Sequence, residues 1–529
     1  MTAVTPATDL REGGLKAPVR HPYDRDGPDF ADPQKLEDEM TRVFDICHGC
    51  RRCLSLCDSF PRLFDLVDNS PTGELDSVDK SRYHEVADAC TLCDMCFMAS
   101  CPYVPPHEFN IDFPHLITRF RAVAEKREPR GRTLTFIDRN ARFAKMAPWL
   151  ANLMSDRRNK PARLLMKILF GVHPDAELPK FARRTFTSAA TRRAAAAKKK
   201  SAATATATAT EKGAATATTT TTTTDGAETV TATATEKGGE VKETKRKVVV
   251  YATCFVENHH TETGHAAMAL FAANGVEAVP VYPSCCGMPR LERADLDAVG
   301  GAARRVADAL VPWIDEGYEV VALTPSCALM LKFEWPQLLP DDPDIKKLAA
   351  ATFDVAEYLM ALRRAGQLVT EAKPLEGGIF LHLACHARAQ NVGFKARDLL
   401  KLIPETELHF AARCSGHGGL WGCLDEHFET AHRVGAPVAK HIARSGARYL
   451  ATECPLAGLH LTQGVERLGA DGKGAGKSDG KGAGKSDSDG AAGGSSDGDA
   501  AGNSDGDKGV ARDAKHPIVL YAEACGLEF

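Results

Sequence analysis

Apolar positions along the chain follow three patterns. Between residues 245 and 468, short apolar runs alternate with longer stretches of helical spacing. The run KVVVY, followed by Ala-Thr-Cys254, reads as a buried strand that ends in a cysteine, and GGIFLHLAC, ending at Cys385, reads the same way. Helical spacing follows at 262–273, 295–315, 394–402 and 425–445. Strand and helix in alternation predict parallel α/β units. Between 119 and 184 the pattern is helical, with apolar clusters at Trp149, Leu150, Leu153 and Met154 and again from Leu164 to Phe170. Two stretches carry no apolar period. Residues 185–244 are mostly Ala, Thr, Lys, Gly and Glu, with TATATEKG occurring twice, and residues 469–513 are mostly Gly, Ser, Asp, Ala and Lys. Neither buries enough apolar surface to offset its chain entropy, so both are expected to be disordered inserts. No apolar run reaches the length of about 18 residues that spans a membrane.

The α/β half contains an internal repeat. Cys254 matches Cys385, Cys285-Cys286-Gly287 matches Cys414-Ser415-Gly416, and TPSC ending at Cys327 matches ATEC ending at Cys454, at offsets of 131, 129 and 127 residues. In parallel sheets ligands gather beyond the carboxyl ends of the strands, where each repeat puts its first and last cysteine. The expected organisation is a flexible leader (1–40), a cysteine-rich helical domain (41–118), a basic helical segment (119–184), the first insert (185–244), repeat 1 (245–370), repeat 2 (371–468), the second insert (469–513) and a tail (514–529). The fold class is multidomain α+β.

The chain has 529 residues, a net charge of −4 and 17 cysteines. The cysteines fall in tight sets within long ordinary sequence, and the amino terminus lacks the apolar core of a signal peptide. That excludes a secreted disulfide scaffold and points to a reducing, cytoplasmic setting with thiolate-bound metal. From 119 to 200 there are 22 Lys and Arg against 6 Asp and Glu. Basic helices with aromatic anchors lie on anionic membrane surfaces. A docking face for an acidic partner and a cap on the α/β half are the other readings. Nucleic acid is not expected, because no stacking motif accompanies the charge.

Cys47-x2-Cys50-x2-Cys53-x3-Cys57 and Cys90-x2-Cys93-x2-Cys96-x4-Cys101-Pro102 form a doubled bacterial ferredoxin signature. Three cysteines wrap one corner of a cubane, and the fourth completes the other cluster. Cys47, Cys50, Cys53 and Cys101 are therefore assigned to one [4Fe-4S] cluster, and Cys90, Cys93, Cys96 and Cys57 to the second. Asp58 after the first set and the x4 spacing of the second depart from the usual pattern. Structural zinc is the alternative, although it more often uses two CxxC pairs. In repeat 1 the candidate ligands are Cys254, Cys285, Cys286 and Cys327, with Gly287 permitting close backbone approach. In repeat 2 they are Cys385, Cys414 and Cys454, with Cys423 or one of the flanking histidines, His386 and His417, as the fourth. Buried unligated thiols are the alternative there, and Cys525 is assigned to packing.

These paired sets resemble the tandem CCG domain in the B subunit of heterodisulfide reductase, which also occurs in the glycolate oxidase iron–sulfur subunit. Over about 400 residues the chain resembles the family of the C subunit of anaerobic glycerol-3-phosphate dehydrogenase, on strings that include CPYVPPHEFNIDFPHL (101–116), ACHARAQ (384–390) and RCSGHGG (413–419). The resemblance implies an iron–sulfur electron-transfer subunit. It would take electrons from a partner flavoprotein of glycerol-3-phosphate, glycolate or lactate dehydrogenase type towards quinone or another acceptor, peripherally at the inner face of the membrane. It also implies further clusters in the repeats. The alternative is a thiol–disulfide oxidoreductase with a CCG cluster as its catalytic centre. Met330 and Ala457 stand where the closing CxxC expects cysteine, and Ser415 replaces one of the vicinal pair, which argues against disulfide cleavage. No flavin or nicotinamide fingerprint occurs, so the donor is expected on another chain. GAGKSD, present twice in the second insert, lacks the first glycine of a phosphate loop.

Overall fold

The computed structural model describes residues 18–124, 132–193, 246–474 and 513–529. Most of both inserts expected to be disordered lies outside these residues. Strands β1 (Lys247–Tyr251), β2 (Glu277–Val281), β3 (Glu319–Ala322) and β4 (Thr352–Asp354) form a parallel sheet of order β2-β1-β3-β4. Strands β5 (Ile379–His382), β6 (Leu408–Ala411), β7 (Tyr449–Thr452) and β8 (Ala514–Lys515) form a second sheet with the equivalent order β6-β5-β7-β8. The three consecutive valines of β1 are fully buried because both of its edges are paired and both faces covered. Pro280 sits in β2, an edge strand, where its missing N–H costs no ladder bond.

The segment read as a tail belongs to the second sheet. Residues 514–515 pair with β7, and the helix Pro517–Ala524 buries Ile518, Val519, Leu520 and Tyr521. That helix packs on Thr261–Ala273 of repeat 1, while the helix closing repeat 1, Val355–Arg364, packs on Lys395–Leu400 of repeat 2. One core runs through both repeats, from Val248 and Leu270 to Leu381 and Tyr521. Cys525 is half-buried against it.

The cysteine-rich amino-terminal part has its own core of Met40, Phe44, Leu63, Val67, Phe113 and Ile117. Helix Pro33–Cys50 starts at an Asp32 cap, whose carboxylate accepts from the Gln34 and Lys35 N–H groups, and ends at Arg51 in left-handed conformation. The leader is not loose over its described part. Arg20 is nearly buried, ion-paired to Asp94 and Asp112 of this part and to Glu334 of repeat 1, each at 2.9 Å. The edge of the first insert is also ordered. Residues 186–193 are helical, and Phe186 is fully buried against Gly264, where an added Cβ would stand 2.6 Å from its ring.

The basic segment folds as helices Ile137–Met146, Pro148–Ser155 and Lys160–Phe170. Their apolar residues face outwards: Met146 is 82% exposed, Trp149 71% and Ile168 69%. Arg163 anchors the third helix from inside, donating to the carbonyls of His173, Pro174 and Ala176.

Candidate metal centres

Cys47 lies at the end of the first helix, and Cys50, Cys53 and Cys101 line one small cavity with it, beside Ile46, Phe60 and Tyr103. Burial, then the charges of Cys101, Cys53 and Cys50, push the Cys47 thiol up. Burial and Cys101 take Cys53 up to about 12. Cys57 falls instead in the field of Cys93 and Cys90, and burial raises it first. The structure therefore groups the fourth cysteine of each run with the first three of the other. The loop from Cys90 to Cys96 turns through two left-handed non-glycine residues, Leu92 (φ 47°) and Asp94 (φ 61°). Such strain costs about 1–3 kcal/mol each and persists only where the surroundings impose it; here Arg20 grips Asp94 with two hydrogen bonds.

In repeat 1 the strands run parallel, so their carboxyl ends share one edge. Cys254 opens a short helix just beyond β1, and Cys327 sits in the helix just beyond β3. Between them Gly287, at φ 88°, turns the chain behind the vicinal pair. The four thiols form a chain of contacts, Cys254 to Cys285 to Cys286 to Cys327, with Cys286 and Cys327 sulfurs 3.2 Å apart. Trp335 Nε1 donates to the Cys286 carbonyl at 3.2 Å. Asp138 of the basic segment reaches this turn. It accepts from the Cys285 N–H at 3.0 Å and from the Tyr282 hydroxyl at 2.5 Å. The only sequence signal for Asp138 is that it is an acid in an otherwise basic helix.

Repeat 2 brings three of the expected thiols together with one of the flanking histidines. Cys385 is raised by burial and then by Cys93, Cys414 and Cys454. His417 Nε2 lies 3.6 Å from the Cys454 sulfur; burial holds this imidazole down to about 3, and its Nδ1 accepts from the Gly419 N–H at 2.9 Å, so the neutral ring turns an Nε2–H to the sulfur. Cys423 is not brought to this set. Its thiol packs beside Val172 and Phe428 and lies in the field of Arg163. The Cys-Ser-Gly turn keeps the geometry of its counterpart: Gly416 has φ 85°, and an added Cβ would stand 2.0 Å from the Ala431 carbonyl oxygen.

The sets are joined. Burial and then the charge of Cys414 push Cys93 up to about 12, so a cysteine of the amino-terminal part lies in the electrostatic field of one in repeat 2. His386, next to Cys385, contacts the Leu92 carbonyl at 3.3 Å and the Ser326 hydroxyl at 2.8 Å. It therefore touches all three cysteine-bearing units. Sequence spacing gave no sign of these contacts between distant segments.

Burial raises the thiols of Cys47, Cys53, Cys57, Cys93, Cys385 and Cys454, so these keep their protons at neutral pH unless a cation removes them, whereas Cys285, hydrogen-bonded by Cys254 and Cys286, is lowered. All-sulfur sets of this kind suit a soft, positively charged iron–sulfur core. Among the described residues no three His, Cys, Asp or Glu side chains are arranged to hold a single metal ion. No helix among them is long and apolar enough to cross a membrane.

Residues 248–332 match the cysteine-rich domain family CCG. The chain is 28% identical over 217 residues to the C subunit of anaerobic glycerol-3-phosphate dehydrogenase of Escherichia coli, covering 40% of this chain and 53% of that protein. It is 26% identical over 229 residues to the B subunit of fumarate reductase (CoM/CoB) of Methanothermobacter marburgensis, covering 42% and 43%. It is 25% identical over 232 residues to an uncharacterized iron-sulfur protein of Methanococcus maripaludis, covering 43% of each. The matches span about half the length of these relatives. The resemblance read from the residues is borne out: this chain is similar to iron–sulfur proteins and to subunits of dehydrogenases and reductases.

Proposed function

We propose that this chain is an iron–sulfur electron carrier in a flavoprotein dehydrogenase complex. Electrons enter from a flavin on a partner chain and pass along two [4Fe-4S] clusters, one on Cys47, Cys50, Cys53 and Cys101, the other on Cys90, Cys93, Cys96 and Cys57. They leave through further metal centres in the repeats, on Cys254, Cys285, Cys286 and Cys327 and on Cys385, Cys414 and Cys454 with His417. The destination is a quinone or another acceptor. The observation that carries this reading is that buried Cys93 and the repeat-2 thiols Cys385 and Cys414 lie in one another's electrostatic field, while His386, beside Cys385, reaches the Leu92 carbonyl at 3.3 Å. The clusters supply one-electron chemistry. The chain's own part is to hold them dry and close: Arg20 pins the Cys90–Cys96 loop to Glu334 of repeat 1, and His386 ties that loop to both repeats.

Attachment to the inner face of an anionic membrane completes the proposal. The exposed apolar side chains of Phe143, Met146, Trp149, Ile168 and Leu169 stand beside Arg142, Lys145 and Arg158. Redox titration of anaerobic protein followed by paramagnetic resonance tests the carrier role. Reducible one-electron centres are expected, with Cys101→Ser and Cys57→Ser perturbing different signals. A protein with stoichiometric zinc and no reducible centre contradicts it.

A further inference from the structure

A cavity of about 320 Å³ lies where the amino-terminal part, the basic segment and both repeats meet. Cys90 and Thr91 form one wall, the 132–135 turn another, and Glu292 and Trp421 come from repeats 1 and 2. The junction is built by glycines. An added Cβ at Gly418 would stand 2.5 Å from the Thr91 side chain, and one at Gly419 would stand 2.3 Å from a Glu292 carboxylate oxygen. Arg121 braces the base, donating to the carbonyls of Glu292, Ala87 and Cys90.

The lining selects a neutral, flat, amphipathic guest. Its cations, Arg121, Arg132 and Arg293, are matched by the acids Asp88, Glu292, Asp295 and Glu426, so neither an anion nor a cation is favoured. Trp421 stacks on His427 with ring centroids 4.7 Å apart and offers an aromatic plane, while Phe120, Leu420 and Leu424 supply apolar surface. The volume is at the lower end of ligand sites and suits a single ring system. The cavity also adjoins the exposed apolar helices. Lys167 pairs with Asp425 at 2.9 Å, Val172 bridges Leu424, and the 132–135 turn leads directly into the helix that carries Phe143 and Met146.

We propose that this cavity seats a quinone headgroup between the Cys90 set and the apolar surface, and that the Glu292 carboxyl hands it protons. The inference rests on the electron-carrier reading, since the reductant is the reduced iron–sulfur centres, themselves re-reduced by the partner flavin. The quinone takes two electrons, one at a time, and two protons to become quinol. Glu292 gives one proton and is reprotonated from solvent, and the second comes from solvent through the cavity mouth. Burial lifts the Glu292 carboxyl to about 7, against the opposing pull of Arg121, the Leu420 N–H and Arg293, with Cys285 adding to the rise. Below that pH it carries the proton it is to give.

The test uses the full chain, purified anaerobically, and an azidoquinone photoprobe mapped by mass spectrometry. Label is expected on the 418–427 segment or around Glu292. Trp421→Ala should lower it between about twofold and tenfold, the worth of one aromatic stack. Glu292→Gln should keep iron content and label, slow quinol formation about 100-fold and flatten its pH profile near neutrality. Label confined elsewhere on protein that retains its iron overturns the inference and leaves the electron-carrier reading standing. The same holds for an unchanged rate and pH profile in Glu292→Gln. Protein without iron and sulfide overturns the electron-carrier reading, and the inference with it, wherever the label falls.

Discussion

Gly287 and Gly416 occupy the same left-handed turn in the two repeats, with φ of 88° and 85°. At Gly416 the helix Phe428–Ser445 presses so close that a methyl group would overlap the Ala431 carbonyl. Gly416→Ala should therefore cost about 2 kcal/mol or more, seen as a lowered Tm, whereas Gly446→Ala, with open space around it, should cost only the left-handed strain. The metal set proposed for repeat 2 divides its neighbours just as sharply. Cys423→Ser should leave metal content unchanged, and His417→Ala or Cys454→Ser should lower it, as measured by metal analysis of anaerobic protein. The cysteine runs were legible because their spacing is local. The choice between Cys423 and a flanking histidine was not, because which of these groups turns inward depends on the packing of the 417–423 loop against Val172 and Phe428.

The helix Val355–Arg364 begins at Asp354, which accepts the Ala356 N–H at 2.9 Å inside a capping box with Glu357. Burial, helped by Glu357 and opposed by the Ala356 N–H, Lys332 and Gln390, lifts the carboxyl to about 6. The native state thus holds a proton that the unfolded chain has lost. Stability should fall as pH rises from about 4 to 6, with the penalty complete above that. Asp354→Asn keeps an acceptor for the cap and removes the slope, so urea unfolding at several pH values should show the variant gaining on the parent towards neutrality. At this scale the strands β1, β5 and their following helices were readable from apolar runs and helical spacing. The two-residue strand β8 was not: a long low-complexity stretch separates it from β7, and its partner register is set by the other strands of the sheet.

Across the whole molecule, helices of each repeat pack on the other, and the ion pairs of Arg20 clasp the amino-terminal part to repeat 1. The clasp could not be read from the sequence, because Arg20 is one basic residue in a stretch whose polar composition looks like a loose leader. The outward apolar face of the basic segment should bind vesicles containing phosphatidylserine in preference to neutral ones, and high salt should weaken that binding. Replacing Trp149 and Ile168 together with serine should lower the affinity at least tenfold, by about the value of two buried apolar side chains, in a co-sedimentation assay. Equal binding of parent and variant would assign that face another role. The most direct test of the central claim is the iron and acid-labile sulfide content of protein purified without oxygen. Two four-iron clusters require about eight of each per chain at minimum, and a colourless protein with zinc or no metal and no sulfide would contradict the account.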